Sequence, residues 1–255
     1  MGEGLTEQVE KDAQGRVRQR LSLDAQGRME GAALTYDEAG RVLRESHYRE
    51  GTLHGTSVYY RESGRVAQRA TFKEGRLDGP TLLYDEDGRL VQRLGFREGE
   101  LHGEAAVLEK EAVRLKQTYV HGLLEGPMIV YSDAGTISQE VRYRGGRLHG
   151  EHKSYSANGT LVRQARYVDG QLEGEVLDFY ESGAVRERVP YVHDKRHGEA
   201  LAYYEDGTVM KRTLYREGKQ VGQPVEYGPD GREKKAGPPT VVKVAKRLSS
   251  FWKGG

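Results

Sequence analysis

Apolar and polar residues alternate along most of this chain in short runs, each of which ends at a glycine-containing turn. Leu34 and Tyr36, Val58 and Tyr60, Leu82 and Tyr84, Ile129 and Tyr131, and Leu201 and Tyr203 stand two residues apart and close such runs. The turns that follow include Asp37-Glu-Ala-Gly40, Glu62-Ser-Gly64, Asp85-Glu-Asp-Gly88, Ala157-Asn-Gly159 and Glu205-Asp-Gly207. Glycine accepts positive φ at such turns, and the short polar side chains cap the local backbone. After the turn, Val66, Ala70 and Phe72 share a parity, as do Leu90, Leu94 and Phe96. A period of two predicts strands, with these residues on one sheet face. Each turn therefore closes a β-hairpin.

The hairpins repeat. Gly-x-Leu-x-Gly recurs at Gly51, Gly75, Gly99, Gly122, Gly146 and Gly170, with degenerate copies at Gly27, Asp194 and Gly218. The step is 24 residues throughout, with one step of 23 between Gly99 and Gly122. Two aromatic columns keep the same step. The first runs Tyr36, Tyr60, Tyr84, Leu108, Tyr131, Tyr155, Phe179, Tyr203, Tyr227, and the second Tyr48, Phe72, Phe96, Tyr119, Tyr143, Tyr167, Tyr191, Tyr215. Gly-x-Leu-x-Gly is expected to be the second turn, its two glycines permitting the bend and its leucine tucking under the sheet. Nine hairpins give roughly eighteen strands, an array of about 85 Å at a strand spacing of ~4.8 Å. The expected fold is all-β, an elongated single-layer antiparallel hairpin array. Stacked tyrosines along a trough would bury their rings and keep their hydroxyls wet. By this reading 1–26 is an N-terminal cap or partial repeat, 27–231 the repeats, and 232–255 a basic linker with a short amphipathic helix.

Composition narrows the function classes. Of 255 residues 34 are glycine, hydrophobic residues make up only 36%, and 40 Lys plus Arg balance 39 Asp plus Glu. A thick core is not expected, and the balanced charge gives no pointer to nucleic acid. Cysteine is absent, which removes disulfides, thiolate metal sites and cysteine nucleophiles. No apolar run approaches the roughly 20 residues of a membrane-spanning helix.

The hairpin with Tyr-x-x-x-Gly, a second aromatic and Gly-x-Leu-x-Gly resembles the MORN repeat. It is similar in particular to the variant found in bacterial proteins of the YwqK-like antitoxin family, over about residues 27–231. The resemblance implies a binding role, often as an immunity protein encoded beside a secreted toxin. It differs from the eukaryotic MORN pattern, since the single tryptophan, Trp252, lies outside the repeats.

Little in the chain invites chemistry. His54, His102, His149 and His197 alternate with Glu30, Asp78, Glu125 and Glu173 in one column of the second turn. Column members on successive repeats would lie ~9–10 Å apart, too far to share a metal. They read as a solvated ladder of opposite charges. No nucleophile elbow or phosphate-cradling glycine loop is present, so no enzyme activity, metal or cofactor is expected. The departures from consensus stand out instead. The turn glycine is missing at Leu108-Glu-Lys-Glu-Ala-Val113, where the array is expected to kink. Lys153 replaces an aliphatic residue, and Asp194-Lys-Arg-His197 puts charge in place of Gly-x-Leu. The expected partner surface comprises Tyr60, Tyr84, Tyr131, Lys153, Tyr155, Tyr203 and Tyr227. The resemblance implies as partner a cognate toxin such as a nuclease or phospholipase, its active site occluded by one copy of this chain.

From Arg232 onward there are seven basic residues and one acidic. Val241, Val244, Ala245, Leu248, Phe251 and Trp252 follow helical spacing, with Lys243, Lys246, Arg247 and Lys253 among them. Two readings stand. The segment caps the last hairpin, which repeat arrays require, or it lies on anionic lipid and makes the protein a membrane-associated scaffold. Met1-Gly2-x-x-x-Thr6 matches a short myristoylation pattern. The start has neither a basic n-region nor an apolar h-region. The expected location is the cytoplasm, or the periplasm if a leader has been removed.

Overall fold

The computed structural model describes residues 4–234. The expected C-terminal helix, with Lys243, Lys246, Arg247, Leu248, Phe251 and Trp252, lies outside the described residues. The fold is all-β: 24 antiparallel strands form a single sheet in which each strand pairs with its neighbours in sequence. Five of the 24 are two-residue pieces, such as Thr52–Leu53, that run through a bulge into the next strand. Joined to it, they leave nineteen long strands. The sheet begins earlier than the repeat motif. Thr6–Lys11 and Val17–Leu23 pair with each other, and Val17–Leu23 pairs with Met29–Tyr36. Across the shortened repeat at 103–120 the pairing is uninterrupted on both sides.

The first turns have one construction. Asp37 C=O accepts the N–H of Gly40 at 3.2 Å, and Asp37 N–H donates to Arg41 C=O at 2.9 Å. This is a type I turn completed by a glycine at φ 78°, followed by a bulge between the Thr35 and Tyr36 pairings. The Asp37 carboxylate accepts the N–H groups of Ala39 (2.9 Å) and Arg41 (2.8 Å) and the Arg41 Nε (2.6 Å). The same cluster recurs at Asp24 and Arg28. Lys110-Glu111 departs from this pattern, closing its hairpin as a two-residue turn with φ of 49° and 68°.

The bulge corrects the expected facing of the aromatic columns. Tyr60 pairs with Val66, whereas Ser57 pairs with Ala70 and Gly55 with Phe72. A one-residue slip exchanges faces. Tyr60 and Val66 therefore share one face, here the front, while Ala70 and Phe72 lie on the other, the back. The first column belongs to the front along the whole array and the second column to the back. A single trough holding both does not form.

The second turn also differs from expectation. Gly-x-Leu-x-Gly does not bend as a unit. The turn is the pair Glu50-Gly51, with φ of 49° and 81°, and Leu53 already belongs to the next strand, opposite Tyr48. The closing glycine, Gly55, sits at φ 88° opposite Phe72. From Tyr48 to Tyr167 each back-face aromatic is thus flanked by a leucine on one neighbouring strand and a bare glycine on the other, whereas Tyr191 and Tyr215 have Arg196 and Gln220 in place of the leucine.

Burial follows one row. Leu21, Ala33, Ser46, Ser57, Ala70 and Thr81 are successive members of a line that crosses the back face, one residue per strand. Ala165, Val176, Val189, Ala200 and Thr213 continue it, and all of these are buried. No second layer covers them among the described residues. Longer side chains in the flanking rows close over these small ones instead, which is how a single sheet acquires a core.

Candidate functional site

The expected partner residues are brought together. Tyr60, Tyr84, Tyr131, Tyr155, Tyr203 and Tyr227 stand on the front face beside the first turns, each half-buried. An aliphatic residue separates each from the next: Tyr60 pairs with Val66, Tyr84 with Leu90, Tyr131 with Ile137, Tyr155 with Leu161 and Tyr203 with Val209. The result is a row alternating aromatic and aliphatic across the array. Shallow grooves separate successive members. One is lined by Leu34, Val42, Glu45 and Tyr60, another by Val17, Arg20 and Tyr36.

What holds the row in register was not evident from the sequence. The Tyr180 hydroxyl donates to the backbone carbonyl of Tyr203 (2.7 Å), and the Tyr204 hydroxyl to that of Tyr227 (2.9 Å). Arg61 Nη2 reaches the carbonyl of Tyr84 (2.6 Å) in the same way. Each staple joins the first position of one turn to the row residue of the next repeat. The spacing of 23 residues between Tyr180 and Tyr203 was the available signal.

Lys153 occupies the expected front-face position, opposite Glu140. Its Nζ lies 2.6 Å from Glu151 Oε2, two residues back on the same face. The hydrogen bond from Lys153 holds the Glu151 carboxyl below its usual range and, reciprocally, holds the lysine above its own. Its charge is therefore matched within the strand.

The acid and histidine column has a defined role. Glu30, Asp78, Glu125 and Glu173 accept the backbone N–H of Glu50, Glu98, Gly145 and His193, each 20 residues on, and His149 Nδ1 accepts that of Asp169. Gly51 N–H donates to Met29 C=O and Gly75 N–H to Leu53 C=O, both at 2.8 Å. Every second turn is thus docked on the one before. The acids of the column and His149 cap turns, so the column is more than a ladder of solvated charges.

His152 stands in the buried back-face row between Val141 and Ala165. Burial, then the nearby Arg163 charge, lowers its pKa below the usual 6.5. Its Nε2 has no partner, and its ring lies 6.1 Å from that of Tyr167.

The repeat unit has known relatives. Residues 148–169, 172–193 and 196–217 match the family model described as MORN repeat variant. Three consecutive repeats carry that match. Each matched MORN-variant segment begins at the leucine position of a return (Leu148, Leu172, Arg196) and ends at the first residue of the next second turn (Asp169, His193, Glu217). No curated protein matches the chain. Among solved structures, a TcdB2-TccC3-Cdc42 structure aligns over 88% of this chain and 13% of its own, at 16% identity and a TM-score of 0.22. A TcdB2-TccC3 structure gives 17% identity, 88% and 14% coverage and a TM-score of 0.21. A porin-like protein from Bacteroides uniformis aligns over 86% of this chain and 92% of its own, at 14% identity and a TM-score of 0.15. Scores this low are no basis for carrying any property from those chains to this one.

Proposed function

We propose that this chain is a binding scaffold for a protein partner and has no catalytic activity of its own. The observation that carries the reading is the front-face row: tyrosines alternate with aliphatic residues along a sheet that no other described element covers. Among the described residues, the hydroxyls of Tyr60, Tyr84, Tyr131, Tyr155, Tyr203 and Tyr227 engage no side-chain hydrogen bond. Tyrosine gives broad apolar contact and a hydrogen bond at low entropic cost, and charged turns beside it give selectivity and on-rate. MORN-variant repeats support a scaffold of this kind.

The finer reading is an immunity protein. One copy of the array lays its tyrosine row across a secreted bacterial toxin, a phospholipase or nuclease, and closes the path to its active site. The protein works in the compartment where that toxin acts, cytoplasm or periplasm, and needs no cofactor. The test is a pull-down of the tagged protein, co-expressed with the adjacent open reading frame and read by mass spectrometry. A stoichiometric partner that is lethal when expressed alone is the expected result. Retention on anionic vesicles with no protein partner would overturn the reading in favour of a lipid-binding scaffold.

A further inference from the structure

Six successive returns put a leucine on the back face, from Leu53 to Leu172; the next puts Arg196 there. Arg196 pairs across the strands with Tyr191 and has Tyr215 on its other side. Its Nε donates to the Tyr191 hydroxyl and its Nη1 to the Tyr215 hydroxyl, both at 3.3 Å. The guanidinium carbon lies 5.2 Å from the centre of the Tyr215 ring. Two hydroxyls and an aromatic face thus orient the fork, and no carboxylate of the described residues forms an ion pair with it. Nη2 has no hydrogen-bond partner among the described residues. An arginine held by neutral groups, with part of its fork free, is preorganised for an incoming carboxylate.

The surroundings form a groove. Glu187, Ala202 and Lys211 are successive cross-strand neighbours on the back face. Ala202 stands where earlier repeats carry Thr35, Tyr59, Leu83, Val107, Val130, Ser154 and Asp178, and its single methyl leaves open the space that the larger of those side chains fill. Val189, Ala200 and Thr213 form its buried floor, and Arg196, Lys211 and Glu187 line it. Neither Lys211 nor Glu187 has an ion-pair partner among the described residues. Glu187 instead lies directly opposite Asp178, whose carboxylate is taken by Arg163 at 3.0 Å. The carboxylates on one wall disfavour a polyanion such as nucleic acid, while the cations on the other accept a single acidic group.

We propose that this groove is a second binding site, on the face opposite the tyrosine row, and that it seats an acidic side chain of a protein. The carboxylate bridges the free edge of Arg196 and the Lys211 ammonium, and the neighbouring partner backbone lies over Ala200 and Ala202.

The test is an NMR titration of the ¹⁵N-labelled full chain, following the Arg196 Nε–H signal. The probes are N-acetylglutamate N-methylamide for a side-chain carboxylate, N-acetylalanine for a chain terminus, and N-acetylglutamine N-methylamide as the neutral control. The glutamate compound is expected to shift the signal saturably while the glutamine compound does not. The Lys211→Met variant should bind the glutamate compound about tenfold more weakly, as the loss of one charge-assisted contact implies. Arg196→Leu restores the residue of the other returns, and its amide spectrum checks the fold. In that variant the shifts that the glutamate compound causes at Thr213 and Ala202 should vanish. Equal responses to glutamate and glutamine, no response at all, or unchanged shifts in Arg196→Leu would overturn the proposal. A response to N-acetylalanine alone would overturn the side-chain assignment. The titration needs no partner, so its failure is distinct from a failed pull-down.

Discussion

The Glu125 carboxylate accepts the backbone N–H of Gly145 at 2.8 Å, joining the second turn of one repeat to that of the next. Second-turn residues have left-handed backbone, which costs free energy for any residue but glycine. Glu50, Glu98, Asp169 and His193 all adopt it, at φ near 50°. The capping side chain one repeat earlier offsets part of that cost. Among the histidines of the column His149 alone makes the equivalent contact, through a ring nitrogen that accepts the Asp169 N–H at 3.3 Å, whereas His102 Nδ1 has no partner.

Glu125→Ala is accordingly expected to destabilise the array by about 1 kcal/mol, the usual net worth of such a hydrogen bond. Glu125→Gln keeps an acceptor and should lose less than half of that. Urea unfolding of the two variants compares them directly. Equal losses would mean that charge, not acceptance of the Gly145 N–H, is what matters.

Tyr180→Phe and Tyr204→Phe each remove a hydroxyl that, among the described residues, bonds only to the next repeat's backbone. Each should lower stability by about 0.5–1.5 kcal/mol. Repeats interact only with their neighbours, so the loss should fall at the C-terminal end. Hydrogen exchange should quicken at 198–216 and remain unchanged at 29–60.

The hairpins, their step and their turns were legible because a repeat writes its pattern many times. The facing of the residues after each turn was not. Val66 and Phe72 share a parity, yet the bulge between the Tyr59 and Tyr60 pairings sends them to opposite faces. Nothing in the letters Ser-Gly-Arg-Val separates a bulged turn from a plain one, because the slip depends on the hydrogen bond between Arg61 N–H and Arg65 C=O. The tyrosine row was legible because Tyr60 to Tyr227 all precede the bulge. Arg196 stood out as a departure, but its tyrosine partners lie on neighbouring strands and emerge only with the register.

Gly95 is a glycine that the repeat does not explain. Its φ is not in the left-handed region, and the equivalent positions of the two adjacent repeats carry Thr71 and Thr118. A Cβ at Gly95 would run into the backbone carbonyl oxygen of His102. Gly95→Thr, although it restores the neighbours' residue, should therefore destabilise the protein by about 1–3 kcal/mol. Thermal unfolding that is unchanged or improved would show that the His102 peptide rotates away freely.

Acid should loosen the first turns of the N-terminal repeats. The backbone N–H groups of Arg28 and Arg41, followed by their guanidinium groups, lower the pKa of Asp24 and Asp37 in the fold. Depressed folded values mean that the unfolded chain binds more protons. The stabilisation is present above the unfolded pKa of about 3.9 and is lost as pH falls through the folded values. Urea midpoints measured from pH 5 down to pH 2 should drop. In the Asp24→Asn, Asp37→Asn variant the drop should be shallower.

His152 contributes at milder pH. Its folded pKa lies below 6.5, so here too the unfolded state binds the extra proton, and stability should fall as pH decreases below about 6.5. His152→Ala places in the row the residue already found at Ala33 and Ala200, and should flatten stability between pH 7 and 5. A ring signal titrating at or above 6.5 by NMR would contradict the burial argument.

Partner capture should depend on the front face and not on the second column. Tyr131 and Tyr155 lie in adjacent repeats, flanked by Ile137 and Leu161, with their hydroxyls free of side-chain bonds. Tyrosines of this kind are the residues that dominate interface energies, at ≥2 kcal/mol for the strongest. Tyr131→Ala with Tyr155→Ala should weaken capture of the co-expressed partner by at least about tenfold. Tyr143→Phe, on the back face, should leave it unchanged. Because each alanine also uncovers part of its neighbours, Tyr131→Phe with Tyr155→Phe serves as the companion variant, keeping the rings and removing only the hydroxyls. A capture constant insensitive to the alanine pair, in protein whose urea midpoint shows the array intact, would move the interface off this row.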